Sequence, residues 1–214
     1  MLYHRSHILV AIFGQILWLN LILGEDPQVV RDLAYKPQAS NDYERTCCCL
    51  DLYIPKQSQG VSSVLWFHGG ALQHGDKAGE IEQAVGTHFA KNGIIFVSAN
   101  YRLHPHVKHP AYMEDAAAAF AFARKEILQY GGSQKKIFLS GHSAGGYLVG
   151  MLALDSQYLT GYQLKTSDIA GVFPVTGQML THSTIRRELG IPETRPLIDR
   201  FAPAYHVRSD APPF

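Results

Sequence analysis

Ser143 is the residue in this sequence best placed to act as a nucleophile. It lies between Gly141 and Gly145, after the apolar residues 137–139 and before a segment of helical composition. A sharp strand-to-helix turn would lift the serine Oγ above the sheet, and only very small side chains fit two positions either side of it. The helix that follows would direct its first backbone N–H, that of Ala144, toward negative charge on a substrate oxygen. The pattern predicts a nucleophile elbow.

A second apolar run ends in His68, Gly69 and Gly70, which Ala71 follows. An oxyanion hole takes one N–H from the residue after the nucleophile and another from a glycine-rich loop after an earlier strand. A Gly-x-Ser-x-Gly pentapeptide alone occurs by chance in many α/β proteins, so the two elements together carry the argument. We predict that the N–H groups of Gly70 and Ala71 complete the hole that Ala144 begins.

These motifs resemble those of the α/β-hydrolase superfamily, in particular the esterases grouped with hormone-sensitive lipase and with bifunctional feruloyl/acetyl-xylan esterases. The likeness spans about residues 45–214, with further short matches at 50–55, 100–103, 110–115 and 130–132. Ala71 departs from the third glycine that is usual in the lipase-like branch, a mild change because the hole uses backbone N–H groups. The resemblance implies a doubly wound, mostly parallel α/β sheet, a small-molecule ester substrate, and neither metal nor cofactor.

The composition fits one globular domain with a sizeable core. The chain has 214 residues, 46% of them hydrophobic, and a formal net charge of +1, which gives no electrostatic reason to expect a nucleic acid partner. After about residue 45, β-rich runs alternate with helical stretches, as parallel α/β sheets require. We predict helices over 77–92 and 110–130, and strands over 94–99 and 169–175.

Helical spacing in the two predicted helices indicates the buried faces. Ile81, Val85 and Phe89 recur at intervals of four in the first helix. Asp115, early in the second helix, is predicted to be a structural acid rather than a triad member. The stripe predicted for the second helix consists of Ala116, Phe120, Ala123 and Ile127.

Residues 1–24 differ in kind from the rest of the chain. Arg5 precedes a long apolar run that ends at Gly24, which offers a small residue for cleavage. This pattern is typical of a secretory signal peptide, with an uncleaved signal anchor as the alternative, and only the anchor would tie the protein to a membrane. We therefore expect export, a lead-in over 25–44, and an incomplete hydrolase domain over 45–214.

The three cysteines, Cys47, Cys48 and Cys49, are adjacent in the chain. A conventional disulfide framework would need separated residues. Alternation along a predicted strand would place Cys47 and Cys49 on one face and Cys48 on the other. We expect buried or edge-strand thiols rather than a metal or redox site.

The histidines near the motifs are not predicted to bind metal or to serve as the base. His104, His106 and His109 lie in a proline-containing segment without a local carboxylate or cysteine, so a loop near the substrate mouth is the simpler interpretation. Adjacent side chains on a sharp turn point in different directions. The His142 imidazole is therefore not expected to reach Ser143.

A serine hydroxyl needs a histidine to take its proton and an acid to orient that histidine. In the resembling fold the acid and then the base follow the serine, each after a later strand. Residues 203–214 resemble the lead-in to the first of those strands, where the sequence ends. Asp199 and His206 stand in the right order but are too close together to enclose a strand-helix-strand unit. Three other candidates lie where such esterases form cap or connecting helices: His182, Asp155 and Asp168.

The sequence thus predicts a nucleophile and an oxyanion hole whose acid and base are missing from this chain, in a fold that lacks its last strands and helices. One function is a serine esterase on small carboxylic esters. The alternative is a catalytically inactive, hydrolase-like fragment with a binding role. Losing a triad member costs on the order of a million-fold in turnover, so this chain alone is expected to be nearly inactive. Aryl, feruloyl and acetyl-sugar esters and arylformamides remain open as substrates.

Overall fold

A computed structural model describes residues 26–214. The strands are β1 (Gln28–Ala34), β2 (Cys49–Ile54), β3 (Val61–Phe67), β4 (Ile95–Ala99), β5 (Gly132–His142) and β6 (Gly171–Val175). The helices are α1 (Asp42–Cys47), α2 (Glu80–Lys91), α3 (Ala111–Glu126), α4 (Ala144–Leu154), α5 (Gln157–Thr160) and α6 (Ser183–Glu188). Short 3₁₀ helices cover Ile127–Tyr130, Thr166–Asp168 and Pro203–His206.

The six strands form one sheet in the order β1-β2-β4-β3-β5-β6. Strands β3 to β6 run parallel, while β1 and β2 are antiparallel to their neighbours. Carboxyl ends of parallel strands meet at one edge of a sheet, and here Phe67 at the end of β3 pairs with Gly141 near the end of β5. The glycine-rich loop and the elbow therefore lie side by side at that edge.

Alternation along the strands separates two apolar layers. The larger layer packs one face of the sheet against α3 and α4, and every residue of α4 is buried. The smaller layer combines Val64, Trp66 and Phe96 with residues of α2 and its C-terminal end. The predicted α/β class with a mostly parallel sheet is confirmed.

The second layer leaves part of the sheet uncovered among residues 26–214. Phe173 is 56% exposed and Val175 44% exposed on β6, which is one of the two edge strands of the described sheet. A groove of about 500 Å³ runs along this face between Trp66, Phe89 and Phe173. The strand predicted over 169–175 is present as Gly171–Val175.

The predicted helices and strands differ from the observed ones chiefly at their ends. The strand predicted over 94–99 and the buried stripe of α3 are confirmed. The first predicted helix begins at Glu80 rather than at residue 77. Strand β1, which the sequence did not predict, joins the sheet through β2.

The buried face of α2 matches the predicted stripe only in part, because Val85 and Phe89 pack against the smaller layer but Ile81 does not. Ile81 is 69% exposed, whereas Glu82, Gly86 and Ala90 are buried. A Cβ on Gly86 would lie 2.7 Å from the Tyr53 ring, so the helix approaches the sheet along its smallest residues. The Glu82 carboxylate also lies on this buried face, where it accepts a hydrogen bond from the Trp66 Nε1–H at 3.4 Å.

The prediction that the three cysteines alternate along a strand is wrong, whereas the prediction of buried thiols is confirmed for Cys48 and Cys49. Cys47 ends α1 and Cys48 caps it, so only Cys49 lies in a strand. The start of the helix is stabilised by an N-cap, in which the Asn41 side chain accepts the Glu44 N–H at 2.8 Å. Cys48 and Cys49 are buried, and all three thiols are free.

Burial raises the pKa of the Cys48 thiol to about 12 and that of the Cys49 thiol to about 11. Both thiols are therefore neutral at physiological pH and poor nucleophiles.

The signal-segment prediction falls on residues 1–24, which lie outside the described residues. Over 26–214, none of the helices combines the length and apolarity needed to cross a membrane.

Candidate active site

The turn at Ser143 has the strained geometry that a nucleophile elbow requires. Ser143 has φ 52° and ψ −108°, directly between β5 and α4, and its side chain is partly exposed. A non-glycine residue at positive φ costs energy and persists only where its surroundings enforce it. Here its N–H donates to Val175 O at 2.9 Å and its carbonyl accepts from Tyr147 N at 3.0 Å. Strand β6 and the first turn of α4 thus fix the serine.

The two flanking glycines are required by close backbone contact. A Cβ on Gly141 would lie 2.5 Å from the carbonyl carbon of Gly145. A Cβ on Gly145 would lie 2.0 Å from Phe67 O, at the end of β3. The close approach predicted for both glycines is therefore present.

The predicted oxyanion loop bends through three consecutive residues at positive φ: Gly70 at 109°, Ala71 at 55° and Leu72 at 62°. Gly70 O accepts the N–H groups of Gln73 at 2.9 Å and His74 at 3.1 Å, which closes a tight turn. A Cβ on Gly70 would lie 1.9 Å from His74 O, so only glycine fits there. Ala71, in contrast, adopts the left-handed conformation with its Cβ present.

The loop lies directly against the elbow. A Cβ built on Gly69 would sit 3.5 Å from Ser143 Cβ and 2.8 Å from His142 Nδ1. The two motifs singled out in the sequence therefore meet, with Ala144 at the first position of α4. The N-terminus of that helix lies beside the serine, where it favours negative charge.

The buried His68 ring binds the loop through a hydrogen bond to its backbone. Its ring is 2% exposed and stacks on Tyr101, with centroids 4.5 Å apart. Nδ1 lies 2.7 Å from Gly69 O, so this nitrogen carries the proton and donates it. Burial lowers the pKa of His68, which keeps the ring neutral. The Tyr101 hydroxyl donates to His68 O at 3.0 Å.

The other conspicuous histidines do not gather into one site. His104 Nδ1 lies 3.3 Å from a Glu188 carboxylate oxygen, and His109 Nε2 lies 3.0 Å from the Tyr158 hydroxyl. The His106 ring instead contacts Tyr43. The three rings therefore have separate partners within one loop segment.

Ser143 Oγ has no hydrogen-bond partner among residues 26–214. His142 is exposed and likewise makes no ring hydrogen bond within this range. His182 is fully buried, where Nδ1 accepts Thr184 N at 3.2 Å and caps α6. Burial lowers the pKa of His182 to about 4.

The acids weighed as triad members are also engaged elsewhere. Asp199 accepts the Thr181 hydroxyl at 2.6 Å, and Asp168 pairs with Arg124 at 2.9 Å. Asp155 lies 3.5 Å from His206 Nε2, a contact that joins two of the rejected candidates. The described residues therefore hold the predicted nucleophile and the predicted oxyanion donors, with no described histidine hydrogen-bonded to Ser143 Oγ.

One group of side chains has the donor types of a metal site. Ligand atoms of Glu44, Cys48 and Asp115 all lie within 4.8 Å of one another and are buried. Two cations already occupy the space between them, because Lys36 Nζ lies 2.5 Å from Asp115 and 3.1 Å from Glu44, and Arg102 Nη2 lies 2.7 Å from Asp115. The arrangement is an ion-pair cluster, in line with the structural role predicted for Asp115.

Two cavities lie near these loops. One of about 470 Å³ is bounded by the His68–Gly70 loop and His142 on one side and by Asp76 and Glu80 on the other. Another, of about 620 Å³, lies between His109, Tyr158 and Arg200, and Ser143 lines neither of the two. The smaller cavity adjoins the predicted chemistry, so it is the candidate binding site.

A sequence model of the BD-FAE family matches residues 50–214. The probable carboxylic ester hydrolase LipM of Mycobacterium tuberculosis is 29% identical over 175 residues, covering 72% of this chain and 40% of LipM. Isoprenylcysteine alpha-carbonyl methylesterase ICME of Arabidopsis thaliana is 30% identical over 156 residues, covering 70% of this chain and 34% of ICME. This chain thus spans 40% or less of the length of these two curated relatives.

Two solved structures show the same fold. A truncated form of a carbohydrate esterase from gut microbiota superimposes with a TM-score of 0.70 at 17% identity, covering 89% of this chain and 76% of that one. Thermogutta terrifontis esterase 2, phosphoramylated by tabun, gives 0.67 at 24% identity, covering 89% and 70%.

Proposed function

This chain belongs to the BD-FAE family, and from that membership and the site geometry we propose that it is a carboxylic ester hydrolase with Ser143 as its nucleophile. The observation that carries the proposal is the turn at Ser143, held at φ 52° against the Gly69–Ala71 loop. A strained serine beside a loop of backbone donors matches what acyl transfer needs, a nucleophile and an oxyanion hole in contact.

The proposed reaction begins when Ser143 Oγ attacks the ester carbonyl carbon while its proton passes to a base. The carbonyl oxygen gains the negative charge and accepts hydrogen bonds from the N–H groups of Ala144 and of the Gly70–Ala71 segment. Collapse of the tetrahedral intermediate expels the alcohol, which takes up a proton, and leaves an acyl group on Ser143. Water then hydrolyses the acyl-enzyme.

We place the base and its acid outside residues 26–214, because no described histidine is hydrogen-bonded to Ser143 Oγ. Removing the base in comparable enzymes lowers turnover by about a million-fold, while the hole and binding retain about a thousand-fold or more over water. The present chain should therefore react slowly and respond to an external base.

Labelling by a fluorophosphonate, with and without imidazole as an external base, tests the proposal. We expect Ser143-dependent labelling that imidazole accelerates, none in Ser143→Ala, and unchanged labelling in Ser209→Ala, which alters an exposed serine. Folding of each variant is checked by circular dichroism. Folded wild-type protein that stays unlabelled in both conditions would refute the esterase function and favour a non-catalytic binding role.

The substrate class we propose is a small carboxylic ester. The names of the relatives range from a methylesterase to a carbohydrate esterase, and they select no acyl or alcohol group for this chain. A panel of aryl, feruloyl and acetyl-sugar esters would rank the candidates.

We also propose that the protein is exported through residues 1–24. Expression with a C-terminal tag and N-terminal sequencing of the product would test this. Cleavage after Gly24 supports a signal peptide, and an intact N-terminus on membrane-bound protein supports the anchor.

A further inference from the structure

Helix α6 contacts the oxyanion loop through one fully buried hydroxyl. Thr184 is 0% exposed, and its Oγ1 donates to Ala71 O at 2.5 Å. The same Oγ1 accepts the Gln73 Nε2–H at 3.3 Å. Arg187, one turn later, donates to Gln73 Oε1 at 3.1 Å. Two side chains of α6 thus bind the loop that carries the predicted oxyanion donors.

These contacts fix the peptide planes on both sides of Ala71. A peptide unit is planar, so the Ala71 N–H points opposite to the carbonyl of Gly70. The turn from Gln73 and His74 holds that carbonyl, and Thr184 holds the carbonyl of Ala71 itself. The first contact sets the direction of the Ala71 N–H, and the second fixes the Ala71–Leu72 peptide, so together they hold Ala71 at positive φ.

The loop needs such support because its conformation is intrinsically costly. Ala71 and Leu72 are L residues at positive φ, a region that residues other than glycine rarely occupy. The next carbonyl, Leu72 O, accepts His104 N at 2.8 Å. Glu188 of α6 lies near the same histidine, with one carboxylate oxygen 3.3 Å from His104 Nδ1. Helix α6 therefore holds the loop through the Thr184 hydroxyl.

Helix α6 is itself firmly anchored. His182 caps its N-terminus by accepting Thr184 N, and the buried Arg186 guanidinium donates to the carbonyls of Thr181 and Glu193. A helix held at both ends can keep the Thr184 hydroxyl in one position.

We infer that Thr184 is a positioning residue for the oxyanion hole, whose hydroxyl holds the Ala71 peptide so that its N–H faces the developing oxyanion. This inference rests on the function proposed for Ser143. Thr184 touches no reacting atom and acts through Ala71.

The test compares Thr184→Val with Thr184→Ser, which keeps the hydroxyl, and with Thr160→Val at an exposed position of α5 as the matched control. One readout is the second-order rate of fluorophosphonate labelling at Ser143. The other is amide hydrogen exchange at Gln73 and His74, whose N–H groups close the turn on Gly70 O.

We expect Thr184→Val to slow labelling about 10-fold and to speed exchange of both amides about 10-fold. Thr184→Ser and Thr160→Val should stay within about 2-fold of wild type in both readouts. Should Thr184→Val fail to fold, Gln73→Leu removes the donor to Thr184 Oγ1 from a less buried site and should slow labelling about 3-fold.

Wild-type labelling and unchanged exchange in folded Thr184→Val would overturn the inference. A wild-type protein that is never labelled would refute the proposed function instead. In that case amide hydrogen exchange alone tests the inference. Faster exchange at Gln73 and His74 in Thr184→Val, but not in Thr184→Ser, would support the positioning role. Equal exchange in the two variants would overturn it.

Discussion

Gly145→Ala should damage both the fold and the site, because a methyl group at this position has no space. A Cβ there would lie 2.0 Å from Phe67 O, 2.6 Å from Phe67 C and 2.9 Å from His68 O. All three are backbone atoms at the end of β3, so no side-chain rotation relieves the contact. The strand end or α4 must move.

The distances give the size of the effect. Ordinary van der Waals contact begins at 3.4 Å, so the closest pair must separate by more than 1 Å. Overpacking costs about 1–3 kcal/mol, and alanine regains up to about 1 kcal/mol in a helix. Because rigid backbone lies on both sides, we expect a net loss of about 2 kcal/mol in the free energy of unfolding. A 1 Å displacement beside Ser143 should also slow its labelling about 100-fold.

Urea unfolding followed by circular dichroism measures the change in the free energy of unfolding. The rate of fluorophosphonate labelling measures the reactivity of Ser143. Gly161→Ala is the matched control, since nothing lies within 4 Å of a Cβ there and φ is −62°. We expect that control to change stability by less than about 0.5 kcal/mol and to leave labelling unchanged. A Gly145→Ala protein as stable and as reactive as the control would refute the close-contact account of the elbow.

Three further predictions concern the scaffold. Asp115→Asn should lower the free energy of unfolding in urea by about 3 kcal/mol, because it removes the charge partner of two partly buried cations, while Asp210→Asn at an exposed position should lower it by less than about 0.5 kcal/mol. Hydrogen bonds from the Ser40 backbone N–H and hydroxyl lower the pKa of Glu44 to about 2 from its usual 4.5. The stabilisation from Glu44 is therefore complete above pH 4.5 and is lost as the pH falls toward 2, so Glu44→Gln should flatten the stability profile in that window. Finally, Phe173→Ser should weaken binding of an apolar dye such as ANS, since that ring is 56% exposed on the open sheet face, and unchanged dye binding would contradict this assignment.

The elbow and the glycine-rich loop could be predicted from sequence because their constraints are local. Gly141 and Gly145 lie within two residues of Ser143, and the steric demand of the turn acts at that distance. That Ala71 tolerates positive φ could not be predicted, since its conformation depends on contacts from Thr184, far along the chain. Helix α6 itself has six residues, too few to show a periodic pattern.

The buried face of α2 shows a second limit of sequence patterns. Periodicity favoured the larger apolar residue Ile81, but the helix packs along Gly86, where only a hydrogen fits against Tyr53. Where the helix backbone lies close to an aromatic ring, the smallest side chain packs better than the most hydrophobic one. Likewise, Asn41 caps the short helix α1, which ends at Cys47. The three cysteines therefore do not follow one another along a strand, as alternation had predicted.

Detection of an acyl-enzyme tests the central claim most directly. Folded protein is incubated with p-nitrophenyl acetate, quenched in acid, digested, and searched by mass spectrometry for an acetylated peptide. We predict one acetyl group, on Ser143, that forms faster with imidazole and is absent from Ser143→Ala. An acetyl group confined to another residue, or none on folded protein in the presence of imidazole, would contradict the assignment of Ser143 as the nucleophile of an ester hydrolase.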